Sequence, residues 1–158
     1  MAVSPACRGS THLYFAPLTS RKLFRVDTEL LNSNQDISSS VTEVGTKPSQ
    51  TDGLAMDNRG NLYMQVCLST VDLRISCSNL STIVQEVTGN AVNVWPTDSA
   101  WSPMRLAQSN TSLVWADTLA LDGEGGLWLT TRGWPLDSHP RIVSIFTGDV
   151  DNKAWDNC

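Results

Sequence analysis

The sequence predicts an all-β fold, a partial β-propeller of about three blades, and three observations carry that prediction. The segment "TDGLAMDNRGNLYM" at residues 51–64 recurs as "ADTLALDGEGGLWL" at residues 116–129. Each copy alternates in period two on both sides of a turn that ends in glycine, which is a β-hairpin signal. Each hairpin is followed by a further strand-like run, and helical periodicity is nearly absent. Repeated hairpins with added strands read as propeller blades. A sandwich of unrelated hairpins is the alternative architecture.

The elements follow in chain order. "MAVSPACRGSTHLYFA" is a third, more divergent copy, with Ala2-Val3 as the first strand, a longer turn, and Leu13-Tyr14-Phe15 as the second. "KLFRV" adds a strand, and "DTELLNS" after Val26 predicts a single helical turn capped by Asp27 or Thr28. In the next copy Leu54 and Met56 alternate with Ala55 and Asp57, Leu62 and Met64 flank Tyr63, and "AVNVW" follows. The last copy is followed by "RIVSIF". The turns are Asp57-Asn58-Arg59-Gly60 and Asp122-Gly123-Glu124-Gly125. Asp in first place caps such a turn, and Gly in last place tolerates the left-handed backbone that a bulged hairpin needs. The expected organisation is one domain over 1–158, with blades at 1–50, 51–115 and 116–158.

Composition narrows the function. A chain of 158 residues with 41% hydrophobic and 17% charged residues is globular, with enough length for one core. A net charge of −5 argues against a nucleic-acid partner, which needs clustered Lys and Arg. No apolar run approaches the roughly 18 residues of a membrane span, and "MAVSPACRGS" has no apolar core of a signal peptide. Cys7, Cys67, Cys77 and Cys158 have no C-x-x-C spacing, which speaks against zinc and thioredoxin chemistry and leaves two disulfides open. Abundant Ser, Thr, Asn and Asp with six Trp suit a β-rich secreted protein.

No catalytic residue can be assigned. There is no G-x-S-x-G elbow, and His12 and His139 are expected in a turn and a Pro-flanked loop, so Ser-His-Asp chemistry has no support. "GEGG" is a hairpin turn, because no Gly-Lys-Ser/Thr follows it. Asp52 and Asp117 hold matching places just before the first strand of two blades. They are expected at one end of the propeller with converging side chains, and the competing role is satisfying backbone N–H groups there. Asn90, opening "NAVNVW", and Arg132, after "WLTT", are the next candidates for groups facing a central channel, a turn residue and a solvated charge being the competing readings. Trp95, Trp115 and Trp128 are expected to pack blade against blade, and Trp101 and Trp134, beside prolines, to do likewise or to line a pocket. The sequon Asn110-Thr111-Ser112 marks Asn110 as a candidate glycosylation site.

The blocks "LYFAPLTSRKLFRVDTELL", "KPSQTDGLAMDNRGNLYM", "GNAVNVW" and "LVWADTLALDGEGGLWLTTR" resemble consecutive blocks of the major royal jelly protein and yellow family, most closely its fungal members. Their order is the family's, and they cover most of residues 2–132. The resemblance implies a secreted, extracellular, six-bladed propeller of which this chain is the C-terminal half, binding a small ligand in a central channel. Insect members include amine binders, and Asp, Asn and aromatic groups around a channel suit a cationic amine. The resemblance also allows a propeller enzyme, dopachrome-converting or lactone-hydrolysing with a metal, or a gene-model fragment without function. In related lactonase-type propellers an Asp in a similar "DG" context helps hold calcium. No cofactor is required on this reading, and calcium at Asp52 and Asp117 is the one it allows. Three blades of six would leave two bare faces, so self-association is expected. Two departures stand out: Val94 replaces a frequent family cysteine, and Cys158 resembles a family cysteine whose partner is thereby missing. Beyond Arg132 the resemblance fades.

The step from Thr51 to Ala116 is 65 residues, about 20 longer than a usual blade of ~40–50. Removing Val66–Gln85 leaves "GNLYMQEVTGNAVNVW" and a normal step. Val66-Cys67 is what the fungal splice signal GTATGT encodes, Ser78-Asn79 can be encoded with the branch-point sequence CTAAC, and Gln85 can be CAG. Residues 66–85 are therefore expected to be a translated intron and an exposed excursion, a genuine loop being the alternative. On that reading Cys67, Cys77 and the sequon at Asn79 are accidents.

Overall fold

The repeated turn is built the same way in both copies, and it shows why these residues make hairpins. In the computed structural model, which describes residues 1–6, 10–33, 35–66, 89–114, 116–132 and 140–147, Asp57 Oδ1 accepts the backbone N–H groups of Arg59 (2.9 Å) and Asn61 (2.8 Å). Asp122 Oδ1 accepts those of Glu124 (2.8 Å) and Gly126 (2.7 Å). Gly60 and Gly125 close the turns at φ 80° and 88°, a left-handed conformation that a Cβ would strain. Their carbonyls accept the N–H groups (3.0 Å) and hydroxyls (2.8 Å) of Thr97 and Thr147, which tie each turn to the third strand of its sheet. The second oxygen of each Asp holds an aromatic ring. Tyr63 OH donates to Asp57 at 2.9 Å and Trp128 Nε1 to Asp122 at 2.6 Å. Burial, and then the Asp57 charge and hydrogen bond, push the Tyr63 hydroxyl up to about 12.

Among the described residues eleven strands form three antiparallel sheets. The first, in order β1-β2-β3-β4, comprises Ala2–Val3, His12–Phe15, Lys22–Asp27 and Thr42–Thr46. The second, β5-β6-β7-β8, comprises Leu54–Met56, Asn61–Val66, Ala91–Pro96 and Met104–Gln108. The third holds β9 (Leu119–Leu121), β10 (Gly126–Arg132) and β11 (Pro140–Phe146) in that order from one edge. A single turn, α1 (Thr28–Leu31), follows β3, and Asp27 caps it by accepting Glu29 N–H at 2.9 Å. A 3-10 turn at Ser38–Ser40 precedes β4. The first strands of the sheets are neighbours, β1 beside β5 and β5 beside β9. Sheets arrayed with their first strands together and their faces stacked are blades, so this is a partial β-propeller of about three blades.

Two cores lie between the blades. Blade 1 meets blade 2 through Ala2, Tyr14 and Leu23 against Leu54, Leu62, Met64 and Trp95. Blade 2 meets blade 3 through Ala55, Tyr63 and Val92 against Leu127 and Leu129, with Leu113 and Ala116 joining in. Period-two alternation explains this: Tyr63 faces forward while Leu62 and Met64 face back, so every blade has two apolar faces. Trp101 belongs to the first core rather than to a pocket. It stacks edge-on against Trp95 at 4.9 Å and donates to the Thr46 carbonyl at 3.3 Å.

The outer strands β4 and β8 are absent from the sequence reading, because "TEVGT" and "MRLAQ" lie on exposed edges and carry little apolar alternation. His12 is not in a turn: it opens β2, with Ser4 N–H donating to its carbonyl (2.9 Å) and its own N–H donating to Ser4 Oγ (2.8 Å). The hairpin ladder therefore starts one residue earlier than the Leu13-Tyr14-Phe15 run suggests. His139, Trp115, Trp134, Asn79 and all four cysteines lie outside the described residues.

Of the expected excursion, Val66 is the last residue of β6, buried and in register with Ala91. Residues 67–85 lie outside the described residues. The connection over 67–90 thus joins two directly paired strand ends, whereas 133–139 suffice to join β10 to β11, where Arg132 pairs with Pro140. Excision of 66–85, the expected intron, would bring Glu86 to the place of Val66 opposite Ala91 and leave a hairpin connection of ordinary length. Loop closure would then become easier by up to about 1.5 kcal/mol.

The crossover from blade 1 to blade 2 begins at Lys47, which is fully buried. Lys47 Nζ donates to the carbonyls of Ser20 (2.9 Å) and Lys22 (3.1 Å), and its backbone is held by Arg21. Burial, and secondarily the Arg21 charge, bring its pKa down to about 8.

Two outcomes are expected. A chain lacking residues 66–85 unfolds cooperatively at a temperature no lower than the full chain, measured by circular dichroism. A fall of many degrees would show that the segment contributes to the core. Lys47→Met loses about 1–3 kcal/mol at pH 7, since two carbonyls lose their donor. Because the folded pKa lies below the unfolded value of ~10.4, the folded state binds fewer protons between about pH 8 and that value, and stability rises with pH there. The gap between the parent and Lys47→Met therefore widens across this window in denaturant titrations.

Candidate functional site

The crossovers deliver two carboxylates to one place. Residues 47–53 lead into β5 and residues 109–118 into β9, and the two strands are neighbours. Gly53 sits at the closest approach. A Cβ there would run into the Asp117 carbonyl oxygen and, at 2.5 Å, Leu119 Cδ1, so only glycine lets the strand starts touch. As a result Asp52 and Asp117 stand side by side, and their carboxyls are within hydrogen-bonding reach of each other.

Each Asp is anchored to the second strand of its own blade. Asp52 N–H donates to Gln65 Oε1 (3.3 Å), Thr51 Oγ1 to the Gln65 carbonyl (2.8 Å), and Gln65 N–H to the Gly53 carbonyl (3.5 Å). Asp117 N–H donates to the Thr130 carbonyl (2.9 Å), and the Thr118 and Thr130 hydroxyls bond at 2.8 Å. Backbone groups at these strand starts are therefore served by Gln65 and Thr130, which frees the carboxylates from that duty. Gln65 and Thr130 hold equivalent places in the repeat, directly after "LYM" and "LWL". Aligning the copies one position further would have identified them.

The pair is electrostatically uncomfortable. Partial desolvation first, then the Asp117 charge and the shared hydrogen bond, raise the Asp52 pKa above the usual carboxylate value. Two adjoining carboxylates can share a proton or attract a cation, either an ammonium or a hard metal ion. Calcium takes about six to eight oxygens. Among the described residues no group of three or more His, Cys, Asp or Glu comes together, so the pair alone does not complete such a shell.

The other candidates come from other strands and turns of the blades. Asn90 precedes β7 in a left-handed conformation (φ 54°), buried, with its carbonyl accepting Ser109 N–H at 3.0 Å. Since β6 lies between β5 and β7, Asn90 is roughly 10 Å from the inner strand, and its backbone conformation suits a turn. Arg132 ends β10 two residues past Thr130, at the same end of the sheet as Asp117. Asn110 lies in an exposed turn after β8, accessible to a glycan. No helix among the described residues is long and apolar enough to cross a membrane.

A family model described as Major royal jelly protein matches residues 1–134. No curated protein matches the chain.

The carboxylate pair sets a pH dependence. With its folded pKa above the unfolded value of ~3.9, Asp52 withdraws stability at neutral pH and returns it as pH falls through the raised pKa. Asp52→Asn is therefore expected to stabilise the chain at pH 7 by up to about 1 kcal/mol, the scale of exposed charge pairs. The gain should vanish near pH 4. Thermal unfolding of both chains at the two pH values measures it, and equal gains at both would mean that charge is not the cause.

Proposed function

The chain belongs to the major royal jelly protein family, and on that premise we propose that it is part of a secreted, six-bladed propeller that binds a small cationic ligand of the amine class at its channel mouth. One observation carries this reading: two carboxylates from adjacent inner strands meet, at a cost to stability, where neither is needed to satisfy the local backbone. An ammonium has three donors and would offset the repulsion between Asp52 and Asp117. The Thr118 and Thr130 hydroxyls nearby offer polar contacts to the rest of a ligand. The family's secreted character and the exposed Asn110 sequon support an extracellular setting.

The test is calorimetric titration of the 158-residue chain with tyramine, with its neutral counterpart 4-ethylphenol, and with calcium. Tyramine should bind and 4-ethylphenol should not. Asp52→Asn and Asp117→Asn should each weaken tyramine binding about 10- to 100-fold, the worth of a charge-assisted hydrogen bond. Affinity should fall on acidification, because protonated Asp52 no longer attracts a cation. Equal binding of both phenols, or calcium binding without tyramine binding, would refute the amine reading; the calcium outcome would favour the metal-dependent alternative.

A further inference from the structure

Aspartate followed by glycine is prone to spontaneous rearrangement, because no side chain shields the glycine nitrogen from the aspartate carboxyl. The chain has two such peptides, Asp52-Gly53 before β5 and Asp122-Gly123 in the turn between β9 and β10. Their local chemistry is the same and their surroundings are opposite. Both oxygens of Asp122 are occupied. Oδ1 accepts the N–H groups of Glu124 (2.8 Å) and Gly126 (2.7 Å), and Oδ2 accepts Trp128 Nε1 at 2.6 Å. These donors, Trp128 foremost, hold the carboxyl ionised, below the usual carboxylate range, and fix its orientation.

Asp52 is exposed, and its carboxyl is hydrogen-bonded to that of Asp117. A bond between two carboxyl groups needs a proton on one of them, so Asp52 spends part of its time as the neutral acid. Partial desolvation, then the Asp117 charge and hydrogen bond, act in the same direction and raise its pKa. The neutral acid is the reactive form, since its hydroxyl can leave as water. The nucleophile is also free of the ladder: Gly53 N–H donates to no acceptor among the described residues. A residue with a Cβ cannot take the place of Gly53, because the Asp117 carbonyl and Leu119 leave no room. The contact between inner strands that demands glycine therefore installs the susceptible peptide.

We propose that Asp52-Gly53 is a site of isoaspartate formation that dismantles the carboxylate pair, and that the turn around Asp122-Gly123 protects the second peptide. Gly53 N attacks Asp52 Cγ. The N–Cγ bond forms, the amide proton passes to solvent, and the carboxyl hydroxyl leaves as water. The product is a cyclic succinimide, which solvent water opens at either carbonyl. Breaking the N–Cγ bond restores aspartate. Breaking the original peptide bond leaves isoaspartate, with the main chain routed through Cγ and longer by a methylene. That methylene is added where Gly53 touches the Asp117 carbonyl. The displaced carboxylate can then no longer meet Asp117 while β5 and β9 stay neighbours.

The test ages the full chain at neutral pH and physiological temperature, folded and in urea, with no ligand, so its result is independent of the amine reading. Isoaspartate is quantified by methyl transfer from protein isoaspartyl methyltransferase and placed by electron-transfer fragmentation of the peptides. In the folded chain it should accumulate at residue 52 about tenfold faster than at residue 122 or more, the ratio set by each unit of pKa difference. In urea the two peptides should react alike. Asp117→Asn, whose amide donates to the Asp52 carboxylate in place of a shared proton, should slow residue 52 several-fold, with circular dichroism confirming the fold. Trp128→Phe, which removes a donor from Asp122, should speed residue 122. Absence of isoaspartate at residue 52, or equal rates at the two peptides of the folded chain, would overturn the proposal. A ratio that persists in urea would do so too, by assigning the difference to sequence rather than to surroundings.

Discussion

Every sheet in this protein is apolar on both faces, and the only way to keep water from both is to set a sheet against each. Blade 2 meets this demand, with Leu54, Leu62, Met64 and Trp95 buried on one side and Ala55, Tyr63 and Val92 on the other. The rest of the structure follows from that stacking. It places β5 between β1 and β9 and fixes which side chains of each strand are forward and which are back. It also makes the hairpin turn more than a connection. Asp57 and Asp122 use one oxygen to brace the turn and the other to hold the aromatic ring that meets the next blade. Local turn chemistry and blade packing are therefore joined through a single carboxylate in each repeat.

The stacking also creates the candidate site, at a cost. Crossovers that bring adjacent inner strands into contact leave no room at Gly53 for a side chain, and they bring Asp52 and Asp117 within reach of each other. A pair of hydrophobic or neutral residues there would be more comfortable. That electrostatic strain, beside backbone already satisfied by Gln65 and Thr130, is the ground on which a ligand role for the pair is proposed. Lys47 belongs to the same economy of the crossover, because its buried ammonium ties the route into Asp52 to the loop before β3. A hydrocarbon side chain would fill that space but would leave two carbonyls without a donor.

Hairpins, their turns, the single helical turn at Asp27 and the apolar strands were legible from the residues alone, because alternation and turn chemistry act over a few neighbours. The matching places of Asp52 and Asp117 were legible too, as was the family. The edge strands β4 and β8 were not, since a strand half exposed at a sheet margin needs little apolar patterning. Whether Trp101 packs or lines a pocket was open in the sequence, because its Pro-containing loop says nothing of the Trp95 ring it packs on. For Asn90 the sequence left a channel group and a turn residue both open, and its left-handed backbone suits the turn.

The sequence by itself determined the all-β class, the number of hairpins, the turn geometry at Gly60 and Gly125, and a carboxylate before the first strand of two blades. Only the tertiary structure decided that those carboxylates touch, that Gln65 and Thr130 anchor them, and that Tyr63 is buried while its repeat partner Trp128 is exposed. Tyr63 and Trp128 have the same local pattern and the same hydrogen bond to a turn carboxylate. What differs is that, among the described residues, a sheet lies in front of Tyr63 and none in front of Trp128, a matter of residues far away in the chain that no local pattern records.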